Sequence, residues 1–252
     1  MSGAAAAPRF QRIVPASATA ELTAEEALDG WPARDPALGG VALNMIASVD
    51  GRAAIDGRSG PLGSPADRVL FHALRARVDA VMAGAGTVRA ERYGPIIRDA
   101  AVRERRAAQG LEPSPFAVIV SRSLAIDPTV PLLADPDSRV VILTPAAGTI
   151  GGCAARVEYV RAAGLRAGLA ELRERFGVRA ILCEGGPSLN GALAAESLID
   201  ELFLAIAPLL VGAAADSPML VAGGAPPSPR RLELRMLLAR GSELFARYAV
   251  AA

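Results

Sequence analysis

The apolar positions of this chain follow two periods. Short runs such as "FAVIVS", "RVVILT" and "RAILCE" are apolar at nearly every position, the pattern of strands buried on both faces. "VALNMIASVDG" reads as a further strand closed by the turn dipeptide Asp50-Gly51, and "DAVMAGAGTV" as a short strand entering a glycine turn. Between them the spacing turns helical. "SPADRVLFHALRARV" places Val69, Leu70, Ala73, Leu74 and Val78 on one face, with Ser64 at the N-cap and Pro65 at the first helical position. The same spacing puts Arg68, His72 and Arg75 on the opposite, polar face. "LRAGLAELRERFG" is a helix stopped by Gly177, and "RDAAVRERRAAQG" a charged helix or loop with a solvated face. Past a Pro-rich loop at 225–229, "LELRMLLAR" and "ELFARYAV" flank Gly241-Ser242 as a terminal antiparallel hairpin.

Strands alternating with helices predict an α/β protein whose largely parallel sheet has helices on both faces. No internal repeat or interior linker interrupts it, so residues 39–252 read as one domain. Residues 1–38 read as an extension with a short helix, in which "TAEE" forms a capping box between Thr23 and Glu26 and Trp31-Pro32 ends the helix. Of 252 residues, 52% are hydrophobic and only 4% aromatic, which describes a soluble globular core of Ala, Val and Leu. No apolar run reaches the ~20 residues of a membrane helix, and "MSGAAAAPRF" lacks the pattern of a signal peptide, so a cytoplasmic protein is expected. A net charge of +1 without a basic stripe argues against nucleic acid. All 27 basic residues are arginine, which removes lysine as a base or phosphate ligand. Two isolated cysteines, Cys153 and Cys183, and one histidine, His72, leave no metal site to expect.

Ligands of open α/β sheets gather outside the carboxyl ends of the strands, and three such ends are chemically loaded. In "AGAGTV", Gly84 and Gly86 allow close backbone approach and Thr87 offers a hydroxyl at a helix start. In "VIVSRS", Ser121, Arg122 and Ser123 suit a phosphate dianion. In "CEGGPSLNG", the N–H groups of Gly185, Gly186, Ser188 and Leu189 suit a pyrophosphate at a helix N-terminus. Neither G-x-G-x-x-G nor G-x-x-x-x-G-K-[ST] is present. Together the three ends favour an extended cofactor with separated phosphates.

"ASVDGRAAIDGRSG", "LRARVDAVMAGAGTVRAE", "EGGPSLNGAL" and "LIDELFLAIAPLLVG" resemble, in order and across about residues 40–250, the reductase domain of riboflavin biosynthesis, the C-terminal half of the bacterial bifunctional deaminase-reductase. The resemblance implies a dihydrofolate reductase-like three-layer α/β/α fold and a homodimer. It implies hydride transfer from NADPH to a ribosylamino-pyrimidinone 5′-phosphate, as in a 5-amino-6-(5-phosphoribosylamino)uracil reductase, opening ribose to a ribityl chain. NADPH is then expected along Ile46 and Ala47, Gly84 to Thr87, Ser121 to Ser123, and Gly185, Gly186, Pro187, Ser188, Leu189 and Asn190, with its 2′-phosphate near Arg122. Substrate is expected at Asn44, Ser59, Arg75, Arg98 and Glu184. Many family members carry Lys at the position of Asn44 and Asp at that of Glu91.

"SPADRVLFHALR" also resembles the dihydrofolate reductase helix that delivers an acid to the pterin, which implies that role for Asp67. Reducing a C=N bond requires a proton on nitrogen, so Asp67, Glu91 and Glu184 are the candidate acids. Dihydrofolate reductase-type pterin reduction and a nucleotide-binding protein without turnover stand as alternatives. Plainer roles run beside these. Asp67 favours a helix macrodipole, Glu184 satisfies backbone N–H groups, Arg75 pairs with Asp79, Cys183 is an inert core residue, and Asp200 and Glu201 mark a strand edge or dimer seam.

Overall fold

The computed structural model describes residues 7–14, 21–32, 40–212, 218–224 and 226–251. In chain order the elements are β1 (Phe10–Val14), β2 (Glu21–Leu22), α1 (Ala24–Ala27), β3 (Gly40–Ser48), α2 (Pro65–Arg75), β4 (Ala80–Gly84), α3 (Ala85–Ala90), α4 (Ala100–Ala108), β5 (Phe116–Val120) and α5 (Pro131–Ala134). There follow β6 (Arg139–Thr144), β7 (Arg156–Arg161), α6 (Leu165–Phe176), β8 (Ala180–Cys183), α7 (Pro187–Ala195), β9 (Glu201–Ala207), β10 (Leu232–Arg240) and β11 (Glu243–Val250). One 11-stranded sheet runs β2-β1-β10-β11-β9-β3-β8-β4-β5-β6-β7. From β9 to β7 every neighbouring pair is parallel. From β9 back to β2 every pair is antiparallel. No helix among the described residues is long and apolar enough to cross a membrane.

The continuous apolar runs behave as strands covered on both sides. Val81 and Ala83 of β4 share a core with Leu70 and Leu74 of α2, while Ala80 and Met82 pack with Leu169 and Leu172 of α6 and Leu193 of α7. The sequence supplies the local stops and starts. Ser64 caps α2 by accepting from the N–H groups of Ala66 and Asp67, the Thr23–Glu26 capping box opens α1, and Gly177 ends α6 at φ 66°.

Three sequence expectations change, and one strand not read from the sequence is added. The described part of residues 1–38 is not a separate arm: β1 pairs with β10, and Phe10 is fully buried edge-on against Phe245 with ring centroids 5.3 Å apart. An otherwise open edge of β10 is thereby covered. The expected boundary at 38/39 lies outside the described residues. Asp200 and Glu201 do not mark an edge, because β9 is interior. Asp200 accepts from the Val41 N–H at 2.7 Å, and Glu201 is held by Arg247 and by the indole of Trp31 at 2.7 Å. The charged 98–110 segment is a helix, but not wholly solvated: Arg106 is buried and donates to the carbonyls of Ala76 and Glu112, both at 2.8 Å, tying down the end of α2. Finally β7, "RVEYVR", forms the far edge of the sheet, where alternating charge suits an exposed strand.

Candidate active site

Strands β3, β8, β4 and β5 are consecutive and parallel, so their carboxyl ends share one rim. Two helices start on that rim, α3 after Gly84 and α7 after Gly186, and neither has a side-chain cap. Of the other starts, α1 is capped by Thr23, α2 by Ser64, α4 by Asp99, and α6 by the distant Glu196, whose carboxylate accepts from the Arg166 N–H at 3.1 Å, while the short α5 has no side-chain cap. Uncapped first-turn N–H groups carry the positive end of the helix dipole, which favours negative charge.

The glycines between these turns answer first to packing. The Gly84 N–H donates to the Gly185 carbonyl at 2.8 Å, and a Cβ on Gly186 would lie 2.6 Å from Thr87 Oγ1. Gly185 sits at φ 83°, and its peptide bond to Gly186 is cis. Gly86 is different. It is exposed, with nothing within 4 Å of where a Cβ would stand.

The cofactor residues expected from the sequence divide accordingly. Gly86, Arg122, Ser123 and Ser188 are exposed on the rim, and Ile46, Gly84, Thr87, Gly186 and Pro187 are partly so. Ala47, Ser121, Gly185, Leu189 and Asn190 are buried, and besides the Gly185 carbonyl, polar groups of Ser121, Leu189 and Asn190 are engaged within the fold. The Ser121 hydroxyl accepts from the Leu124 N–H at 3.1 Å, and the Leu189 N–H donates to the Gly186 carbonyl at 2.9 Å. The Asn190 side-chain amide donates to the Leu220 carbonyl at 2.7 Å, pinning the 218–224 loop onto α7. That loop approaches so closely that a Cβ on Gly191 would collide with the Ala222 carbonyl.

On the substrate side, Arg75 leaves the polar face assigned to it. It is buried and makes a two-pronged ion pair with Glu184, Nε to Oε1 and Nη2 to Oε2, both at 2.7 Å. Asp79, the partner expected by helical spacing, instead accepts from the N–H of Ala180 at 2.8 Å. Tyr93 completes the group by donating its hydroxyl to Glu184 Oε2 at 2.5 Å, and the Arg75 guanidinium stacks 4.1 Å from the Phe71 ring. Burial pulls the Arg75 pKa down, and the Glu184 carboxylate more than offsets it, so the net shift is upward. Burial and the same carboxylate hold the Tyr93 phenol well above its ordinary value. Tyr93 has no local sequence signal beyond being an aromatic in "ERYGP".

Glu91 is likewise engaged: its Oε1 accepts from the Ser59 N–H at 2.8 Å and hydroxyl at 3.0 Å, tying the 51–63 loop to the end of α3. Arg98 is exposed, folded over Gly94. Asp67 and Asn44 line a small open cleft between α2 and the sheet, walled by Phe71, Phe203 and Phe245. Burial first, and the nearby Glu243 charge second, push the Asp67 carboxyl up to about 6. Cys183 is fully buried, and burial pushes its thiol up to about 12, consistent with an inert core residue.

The chain is 28% identical over 221 residues to the 2,5-diamino-6-ribosylamino-4(3H)-pyrimidinone 5′-phosphate reductase of Archaeoglobus fulgidus, covering 82% of this chain and 97% of that protein. It is 29% identical over 218 residues to the protein of the same name from Methanothermobacter thermautotrophicus, covering 83% and 97%. The crystal structure of a pyrimidine reductase-like protein from Corynebacterium diphtheriae superposes with a TM-score of 0.76 at 26% identity, covering 92% of this chain and 100% of that one. Residues 40–245 match the model of the RibD C-terminal domain, and the chain belongs to that family.

Proposed function

We propose that this chain is an NADPH-dependent reductase of a ribosylamino-pyrimidinone 5′-phosphate, converting its ribose to an open ribityl chain. The observation that carries this is the near full-length match to two reductases named for such a substrate. The rim fits a dinucleotide: two uncapped helix starts, the open side of Gly86, and the exposed Arg122 and Ser123 at the end of β5. The first turns of α3 and α7 would hold its diphosphate, and Arg122 with Ser123 the 2′-phosphate that distinguishes NADPH from NADH. Bound there, the coenzyme supplies a hydride.

The chain's own residues position and protonate. Arg75 is committed to Glu184, so the substrate phosphate falls to the exposed Arg98. Glu91 fixes Ser59 and its loop against the cleft. Asp67, with a carboxyl near 6, holds a proton at its carboxylate oxygens for part of the time near neutral pH and is the acid best placed to donate one. Two copies pair through the exposed Val49, Leu210 and Met219, which the Val49 N–H to Leu209 carbonyl bond and the Ala53 N–H to Pro218 carbonyl bond bring into one region. A cytoplasmic location goes with this role.

NADPH consumption matched by a ribitylamino product, identified by mass, tests the reading. Tight NADPH binding with no consumption would instead leave a nucleotide-binding protein. Arg122→Ala should weaken NADPH about tenfold, ~1.4 kcal/mol, while sparing NADH; equal losses overturn the coenzyme preference. Dihydropterin reduction is the second reading, favoured by Asp67 beside an aromatic-walled cleft, and dihydrofolate belongs in the same assay as a separate arm.

A further inference from the structure

Asn190 stands in α7 between Leu189 and Leu193, which pack into the core, and it is fully buried with them. A buried side-chain amide is costly unless its donors find acceptors. Here the acceptor comes from a distant segment. The Asn190 amide donates to the Leu220 carbonyl at 2.7 Å, and its other neighbour is Met45 Sδ at 3.3 Å. The same segment returns a bond, since the Ala222 N–H donates to the Pro187 carbonyl at 3.0 Å. Two glycines let the backbones touch: a Cβ on Gly191 would lie 2.1 Å from the Ala222 carbonyl oxygen, and one on Gly224 would lie 2.6 Å from the Gly191 carbonyl oxygen.

All of these contacts fall on Pro187, Asn190 and Gly191, at the opening of α7, the helix whose start on the rim has no side-chain cap. The loop is held at its other end too, where the Pro218 carbonyl accepts from the Ala53 N–H at 2.8 Å. It therefore spans from the segment that follows β3 to the first turn of α7. Farther along, α7 is seated on the core by Leu193. A ligand-binding helix start is only as well placed as the groups behind it, and small displacements there are felt in affinity.

We infer that Asn190 is a positioning residue for the coenzyme: through the 218–224 loop it fixes the opening of α7, and it does not itself touch the bound dinucleotide. The inference rests on the coenzyme reading above, and it replaces the direct contact that the sequence resemblance implies for Asn190. Undoing the contact leaves α7 on the core through Leu193 while its first turn shifts. Coenzyme affinity then falls, and turnover with the coenzyme bound does not.

Two substitutions break the contact from opposite sides. Asn190→Leu keeps the volume and removes the donor, whereas Gly224→Ala leaves α7 unaltered and pushes the loop away from it. Each should raise the NADPH Kd, read by calorimetric titration, about fivefold to tenfold, with kcat at saturating NADPH within about twofold of wild type. Hydrogen exchange at the N–H groups of residues 188–191 should quicken in both variants without coenzyme. The double variant should bind only about as weakly as the weaker single, because both changes undo one contact. Leu238→Ala, at a fully buried position of β10 away from α7 in the sheet, controls for lost stability: it should lower the unfolding midpoint and leave the Kd within about twofold. A Kd raised by Asn190→Leu but not by Gly224→Ala, or losses that multiply in the double variant, would mean that Asn190 serves the coenzyme directly, and overturns the inference. An unchanged Kd in both overturns it as well and leaves the loop a structural element only. Gly224→Ala decides alone if Asn190→Leu does not fold. A wild type that binds no NADPH overturns the coenzyme reading together with this one.

Discussion

Glu184, at the end of β8, and Asp67, in the first turn of α2, are two acids that the fold treats in opposite ways. Glu184 receives two bonds from Arg75 and one from Tyr93. Asp67 receives an apolar wall and the repulsion of Glu243. A carboxylate completed inside the protein belongs to the scaffold that holds the rim turns in place. One left incomplete beside an open cleft remains open to a ligand and bears a cost in the free protein. Position beside the glycine turn draws attention to Glu184, yet the acid with unspent hydrogen-bonding capacity is the other.

Breaking the completed side carries the largest effect. Arg75→Met leaves Glu184 buried and unpaired, which should cost about 3–5 kcal/mol of stability in urea unfolding, and adding Glu184→Leu should recover most of it. A loss below about 1 kcal/mol in the single variant would show that water already solvates the pair, and the contrast between the acids would go with it.

The open side should respond with the opposite sign. With Asp67 at about 6 in the folded chain against 3.8 unfolded, the native state keeps a proton that the unfolded state releases between those values. Stability therefore falls as pH rises through that window, and the penalty is complete above it. Asp67→Asn removes the penalty: the variant should be more stable by roughly 1–3 kcal/mol at pH 8, with the gain shrinking to nothing near pH 4. Thermal unfolding across that range measures it. A variant less stable than the wild type at pH 8 would mean that Asp67 has a partner after all.

The sequence made these two acids visible as candidates but not their difference, and the reason is distance along the chain. Capping at Ser64, the turn at Gly177 and the doubly buried runs of β5, β6 and β8 are local, and each reads correctly from its own residues. Helical spacing offered Arg75 the near partner Asp79, and the fold gave it one 109 residues away. The resemblance offers Asn190 and the glycine turn offers the Leu189 N–H, and what occupies them is a carbonyl of the 218–224 loop and the helix's own first turn. The pairing of β1 with β10 spans almost the whole chain, so nothing near Phe10 announces it. Strand ends follow from pattern, whereas their order along the rim and the satisfaction of each polar group there depend on non-local partners.

Tyr93→Phe is the finest cut, because it removes one oxygen and leaves the ring. The lost bond is to a charged acceptor, but Arg75 Nη2 still serves Glu184 Oε2, so the cost should be about 1 kcal/mol. It should not vary between pH 5 and 9, since the phenol is held far above its ordinary value and stays protonated. In the Arg75→Met background the same change removes the last side-chain donor that the structure shows to Glu184, and the cost should rise by about 1 kcal/mol or more, a coupling that a double-mutant cycle reads directly. Equal costs in the two backgrounds would show that Tyr93 and Arg75 support the carboxylate independently, and that Glu184 is completed by burial in the rim and not by a shared three-residue lock.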